Sequence, residues 1–262
     1  MISSDNRRYA YGRHQLIEVI CQLRFPTILS IDTREPADFQ ETIRAAFPRY
    51  QCQVEQLPAV NGARPQTVNN HTFLSDDGGY KLSLTKDFIA LSTMRYTHWE
   101  DFAAQLDEPL GQFIQIYRPN CFDRVGLRYV NAFSRERLEL TGRRWNDLLQ
   151  PEYLGVLDED EIDEASVTKC SVDVERRLDT RAALKLHAGP GFVQRNIRSG
   201  SQIRQVQEQE VRFIFDQDVY STAKVKVAAV AETLEMLHGH ADGIFSDAIT
   251  TVLHDAMEPQ YL

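Results

Sequence analysis

Val19-Ile20-Cys21-Gln22-Leu23-Arg24-Phe25 and Arg124-Val125-Gly126-Leu127-Arg128-Tyr129 are two stretches of one design, each carrying Leu-Arg followed by an aromatic residue. Successive side chains of a strand point to opposite faces, so strict alternation of apolar and polar residues marks a strand with one face to bury. In the first stretch Val19, Cys21, Leu23 and Phe25 oppose Glu18, Ile20, Gln22 and Arg24, and Pro26 stops the run. In the second Val125, Leu127 and Tyr129 oppose Arg124 and Arg128. Each strand opens one half of the chain, and each is succeeded by a helix-like stretch, alternating strands and a long amphipathic helix.

After the first strand, Asp32 or Thr33 is expected to cap a helix carrying Phe39, Ile43, Ala46 and Phe47, ended by Pro48. Residues 50–70 lose all periodicity and read as a surface connection. Three short strands are expected at 71–75, 80–85 and 88–96, the first two joined by Asp76-Asp77-Gly78-Gly79, which has the chemistry of a tight turn. Thr97 is expected to cap a helix whose Trp99, Phe102, Leu106, Leu110, Phe113 and Ile114 form one apolar stripe, a core-facing role.

The second half repeats the order with interruptions. A helix is expected over 134–150. The acidic run after it, including Asp158, Glu159, Asp160 and Glu161, has seven acids and no base between Glu152 and Glu164 and is expected to be a solvated loop or exposed edge. Strands are expected over 167–175, 182–188 and 211–216, with Gly189-Pro190-Gly191 as a turn and a polar insertion at 194–209. Ser221 or Thr222 should open the last helical region, which breaks near Gly239 and continues through Ile244, Phe245, Ile249, Val252 and Leu253.

The pattern is therefore α+β: internally duplicated β-α-β-β-β-α units, over 1–118 and 119–262, joined into one domain built on a curved antiparallel sheet. Helices should cover one face, because alternating strands need only one face buried. The other face should be polar and carry Arg24, Arg124, Arg128, Lys185 and His187.

Composition narrows the class of protein. A chain of 262 residues with 42% hydrophobic content can bury a substantial core. The net charge of -9 disfavours indiscriminate attraction to nucleic acid or anionic membranes. There is no apolar run of the roughly 18 to 20 residues that spans a bilayer, and Met1-Ile2-Ser3-Ser4-Asp5-Asn6-Arg7-Arg8 is not followed by a signal-type apolar stretch, so the expected location is cytoplasmic, with no membrane contact. Cys21, Cys52, Cys121 and Cys170 are widely spaced and suggest neither a disulfide framework nor a zinc knuckle.

The segment Arg124-Val125-Gly126-Leu127-Arg128-Tyr129-Val130-Asn131 resembles the R-x-G-L-R-Y-x-N motif of an uncharacterised, sporadically distributed bacterial protein family. Tyr11 with Ile17-Glu18, Tyr96 with Trp99-Glu100 and Phe102, Asp216-Gln217-Asp218-Val219-Tyr220, and Leu237-His238 with Phe245 and Ile249-Thr250 are similar to other pieces of it. His14-Gln15 stands where the family tends to have a proline after its tyrosine. The resemblance implies no activity or catalytic residues; patchy occurrence implies mobile genes such as toxin-antitoxin or phage-defence modules.

Candidate chemistry is sparse. Guanidinium groups bind carboxylate or phosphate through paired hydrogen bonds, so Arg24 and Arg128, at equivalent places in the two halves, can grip an acidic partner or simply pair across the sheet. Asp216 and Asp218 share one side of a strand and, with His238, form the one metal-site alternative; capping of the next helix is the simpler role for the acids, and packing at a helix break for His238. His238, His240, Asp242 and His254 lack a zinc-protease spacing. Arginines cluster over 118–144 and at Arg195, Arg198 and Arg204, but Asp123, Glu136 and Glu139 interleave the first group.

No cofactor is expected. The reading is a non-enzymatic recognition protein that binds a protein partner through the polar sheet face or the acidic run, in an antitoxin or phage-defence accessory role. The alternatives are a metal-dependent nuclease or toxin, and a nucleic-acid-binding protein using Arg24, Arg124 and Arg128.

Overall fold

The computed structural model describes residues 9–57, 66–199 and 202–261. It is an α+β protein built on a nine-stranded antiparallel sheet. The strands are β1 (Leu16–Arg24), β2 (Arg49–Leu57), β3 (Gln66–Leu74), β4 (Tyr80–Leu84), β5 (Phe88–Thr93), β6 (Arg124–Phe133), β7 (Val172–Arg177), β8 (Ala182–Gly191) and β9 (Arg212–Ser221). Their spatial order is β2-β3-β4-β5-β1-β6-β9-β8-β7. Moving outward from the central β1–β6 pair, each side runs through its later strands in reverse chain order.

The two stretches that decide the fold are thus neighbours. Leu23 faces Val125 and Cys21 faces Leu127, with Arg24 opposite Arg124. Aligning the stretches on their Leu-Arg pairs makes Cys21 the counterpart of Val125 and Leu23 that of Leu127. Under that alignment the two pairings exchange with one another. Away from the centre the sides differ, since β2 has no counterpart and a two-stranded hairpin (Gln194–Ser199 with Gln202–Gln207) stands between β8 and β9.

Two long helices, α3 (Trp99–Tyr117) and α4 (Val230–Ala248), supply the second layer. Their buried residues fall at helical spacing: Phe102, Leu106, Leu110 and Phe113 on α3, and Leu234, Leu237, Ala241 and Ile244 on α4. These stripes meet the apolar phase of the strands in one core, with Cys21, Leu23, Leu127, Phe215 and Val219 all fully buried. Short helices α1 (Leu29–Thr33) and α2 (Ala37–Ile43) add Ile31, Phe39 and Ile43 under the β3 side. A last helix, α5 (Thr251–Ala256), leads into Pro259–Tyr261, which pairs with Tyr9–Tyr11.

Several sequence expectations need correction. The unpatterned stretch 50–70 is no mere connection: it supplies most of β2 and the first part of β3, at the sheet edge where exposed residues need not alternate. Asp32 lies inside α1 and accepts the Asn69 N–H at 2.9 Å instead of capping a helix, and the Phe39 segment starts only after Pro36. His98, one residue later than expected, caps α3 by accepting the Asp101 N–H at 3.3 Å, while Thr97 donates to the Asp101 carboxylate.

No α-helix forms over 134–150. Positive φ angles at Glu139 (59°) and Gly142 (90°) interrupt the chain, leaving a single 3₁₀ turn at Trp145–Asp147. Gly189-Pro190-Gly191 is no turn either but continues β8, paired with Ile214, Phe213 and Arg212. α4 runs unbroken through Gly239 to Ala248, and the break falls at Ile249 and Thr250. Ser221 and Thr222 do not open that helix; their hydroxyls bond the Val125 N–H and the Thr180 carbonyl.

Candidate functional site

Alternation carries one set of side chains to the helices and the other to the opposite face, over which no described helix packs. On that open face β6, β9, β8 and β7 present charges in cross-strand neighbourhood. Arg128 is opposite Asp218, which is opposite Lys185, which is opposite Glu175. Between β6 and β9 the ion pairs run on the diagonals. Arg124 Nη2 donates to both Asp218 oxygens at 2.8 and 2.6 Å, and the guanidinium carbon Cζ lies 4.5 Å from the centre of the Tyr220 ring. Arg128 donates from Nε and Nη2 to the two Asp216 oxygens at 2.7 and 2.5 Å, and this paired bond raises its already high pKa.

The outer strands continue the mosaic. Lys185 lies 3.5 Å from Glu175, which also accepts the Tyr220 hydroxyl at 2.9 Å. His187 Nδ1 is 2.7 Å from Asp173, and bonds from His187 and then Ser171 hold that carboxyl below the usual range. Arg24 is different: its Nε donates to neutral Gln22 at 2.9 Å, and among the described residues no carboxylate pairs with it. The structure thus brings Arg24, Arg124, Arg128, Lys185 and His187 to one face, as read from the sequence, with four of the five engaged by carboxylates.

Asp216 and Asp218 do not cap a helix; both sit in mid-strand, gripped by arginines. His238 is on α4, across the sheet from them, so the three cannot meet on one metal ion. The histidines themselves disperse. His238 Nδ1 is 3.1 Å from the Tyr129 hydroxyl, His240 pairs with Asp179 at 3.0 Å and His254 with Tyr11 at 3.0 Å. Among the described residues no group of three His, Cys, Asp or Glu side chains is placed to hold a metal.

The acidic run is no free loop. It folds as 3₁₀ turns (Pro151–Tyr153, Gly155–Asp158 and Glu164–Ser166) that bury Leu154 and Leu157 in the core. Arg135 holds Glu164 at 2.8 Å, and Arg144 reaches Asp160 at 3.3 Å and the carbonyl of Glu159 at 2.8 Å. Glu159, Asp160 and Glu161 remain exposed and Asp158 half-buried. The 118–144 arginines are thus partly consumed by this clamp. The side chains of Arg195, Arg198 and Arg204 lie outside the described residues.

A concavity, absent from the sequence pattern, opens beneath the helices at the β1–β6–β9 junction. It encloses about 110 Å³ and is lined by Tyr11, Tyr96, Trp99, Tyr129, Gln217 and His238 among others. Trp99 and His238 stack with ring centres 4.7 Å apart, and the indole N–H donates to Glu235 at 2.8 Å. Trp99 is therefore a wall of this cavity as well as a core residue. Burial is the main cause that lifts the Tyr96 and Tyr129 pKa values far above that of a free phenol. Glu100 and Asp242, both on the cavity wall, raise Tyr96 further.

The motif Arg124 to Asn131 divides between these two places: Arg124 and Arg128 to the open face, Tyr129 and Asn131 to the cavity. The available signal in the sequence was phase. Tyr129, Asn131 and Gln217 occupy core-facing positions of alternating strands, and Asn131 and Gln217 are 3% and 2% exposed. No protein-family model matches the chain, and no curated protein matches it.

Proposed function

We propose that this is a non-enzymatic recognition protein that docks a protein partner on its open sheet face. The observation that carries the reading is the mosaic of cross-strand ion pairs, Arg124 with Asp218 and Arg128 with Asp216, on a face that no described helix covers. Fixed charges of both signs at strand spacing complement a protein surface of mixed charge and select register and partner. They suit a polyanion poorly. A phosphate backbone would have to displace Asp216 and Asp218 from their arginines, and binding driven by counterion release needs an excess of free cations. The net charge of -9 works in the same direction.

The test is a tagged pull-down from the native cell at moderate salt, with proteins identified by mass spectrometry and nucleic acid stained in the same eluate. A stoichiometric protein, retained by the native chain and lost with Arg24→Glu plus Lys185→Glu, is the expected result. Both side chains are exposed, so the double variant should fold. Nucleic acid alone, or a protein captured equally by both chains, would overturn the reading. The acidic run should be tested by neutralising Glu159 and Glu161, since deleting it would also remove Leu154 and Leu157 from the core.

A further inference from the structure

We infer that the cavity between α3, α4 and the sheet is a binding site for a small organic cation, an alkylammonium or guanidinium head group. Gln217 supplies the first reason. Its side chain is 2% exposed, it lines the cavity, and its Oε1 has no hydrogen-bond partner among the described residues. A buried acceptor left without a donor forfeits its hydration without replacing it, so such an atom calls for a group that completes it. An N–H donor entering the cavity would do so once the amide turns its oxygen, now shut off from the open volume, toward it.

Charge and rings choose the kind of donor. Among the described residues neither lysine nor arginine lines the cavity, whereas Glu100 and Asp242 both do. An anion would meet both carboxylates and no lysine or arginine, whereas a cation would be drawn to them, Asp242 above all, since Glu100 lies 3.3 Å from His98 at the partly positive start of α3. Tyr11, Tyr96, Trp99 and Tyr129 add aromatic rings, whose faces attract ammonium and guanidinium groups as they lose their water. The enclosed volume, about 110 Å³, is somewhat below the 150 Å³ or so that holds a benzene ring, which fits a head group with its tail reaching solvent. The combination of apolar walls with a few convergent polar groups is that of a ligand site.

This site lies across the sheet from the proposed docking face, so the two readings stand or fall separately. The test is titration of the purified full chain with n-butylammonium, followed by the indole N–H resonance of Trp99 in a ¹H–¹⁵N spectrum, with 1-butanol and butyrate as neutral and anionic controls. The Trp99 signal is identified by its loss in Trp99→Phe. Saturable binding of the ammonium, at least tenfold tighter than either control and weakened at least tenfold by Asp242→Asn or Glu100→Gln, is expected. Both variants keep the side-chain shape, and Arg24→Ala, on the other face, should leave the affinity unchanged.

Two further probes separate the sources of such a head group. Saturation by butylammonium itself marks a free amine as ligand. Saturation only by Nα-acetyl-lysine or Nα-acetyl-arginine N-methylamide marks a side chain of a partner, with the same chemistry. No saturable binding of any of the three, or equal binding of butanol, would overturn the assignment.

Discussion

Gln217 stands opposite Tyr129 across the β9–β6 pairing, and both point to the helix-covered side. Their neighbours on that side, Phe215 and Val219 on one strand and Leu127 on the other, are fully buried apolar residues. A polar row is thereby set into the core face of the sheet. It persists because Tyr129 finds His238 at 3.1 Å and Tyr96 beside it, whereas the Gln217 Oε1, shut off from solvent, has no hydrogen-bond partner among the described residues.

The first prediction concerns alkaline stability. Folding raises the pKa values of Tyr96 and Tyr129, chiefly by burial, above the value of about 10 expected for an unfolded chain. A raised folded pKa gives stability that is complete below about pH 10 and is lost as pH rises above it, because the unfolded chain releases those protons first. Urea midpoints should therefore fall steeply above about pH 10. Tyr129→Phe should lose about 1 kcal/mol near neutrality with its hydrogen bond, yet show a shallower alkaline decline. Tyrosinate absorbance rising in one step with the fold intact would refute this.

A second prediction concerns the open face. The Arg128 side chain is 46% exposed and Asp216 17%, so their two-bond pair is neither fully screened nor fully desolvated. Arg128→Ala should cost more than Asp216→Ala, because it strands the less exposed partner. A double-mutant cycle on urea midpoints should give a coupling of about 1 kcal/mol that shrinks in high salt. A coupling indistinguishable from zero in low salt would show the pair to be ornamental to stability.

How much of this was legible in the sequence depends on the range of the interactions. Alternation around Leu23 and Leu127 is local, and it placed Arg24, Arg124 and Arg128 on the face opposite the core. β2 escaped notice because Gln51, Gln53 and Val54 are all exposed, which leaves no buried phase to read. The cavity could not be read from local pattern at all. Tyr11, Tyr129 and His238 lie far in sequence from one another and from the neighbouring Tyr96 and Trp99, and only the pairing of β1 with β6 and the contact of Trp99, at the start of α3, with α4 bring them together. The misplaced helix over 134–150 shows the opposite failing, since Trp145, Leu148 and Leu149 are buried as a helical stripe would be while Gly142 and Glu139 forbid the helix.

Two glycines give a third prediction. A Cβ on Gly189 would collide with the Cys170 carbonyl oxygen and press on Ser171 Cα at 3.1 Å, both backbone atoms of the segment leading into the edge strand β7. A Cβ on Gly126 would instead meet the end of the flexible Arg124 side chain. Gly189→Ala should therefore cost about 2–3 kcal/mol, as overpacking does where the backbone must yield. Gly126→Ala should cost under about 1 kcal/mol, mostly through the displaced Arg124–Asp218 pair. Thermal midpoints in the reverse order would mean that β7 gives way more easily than a side chain.

The last prediction concerns Arg212, at the start of β9, the most deeply buried ion-paired side chain among the described residues at 4% exposure. It pairs with Glu208 and lies 3.3 Å from Glu210, although its Nε–H is not aimed well enough to form a hydrogen bond. Glu210 in turn accepts the Ser134 hydroxyl at 2.6 Å and the Glu136 N–H at 3.0 Å, fastening the start of β9 to the turn after β6. Arg212→Met keeps the volume but leaves two largely buried carboxylates with only the more distant Arg137, 3.9 Å from Glu208, as counter-charge, and should cost about 3–5 kcal/mol. Adding Glu208→Gln and Glu210→Gln removes both charges; the amide that replaces the Glu210 carboxylate keeps one oxygen to accept the Glu136 N–H and can turn its N–H₂ to the Ser134 hydroxyl, which accepts. The triple variant should therefore recover most of that loss, because an intact buried triad often contributes little net stability compared with an uncharged replacement. Urea denaturation of the single and triple variants decides the matter: equal losses in both would place the stabilisation in the arginine's own packing and not in the charges it neutralises.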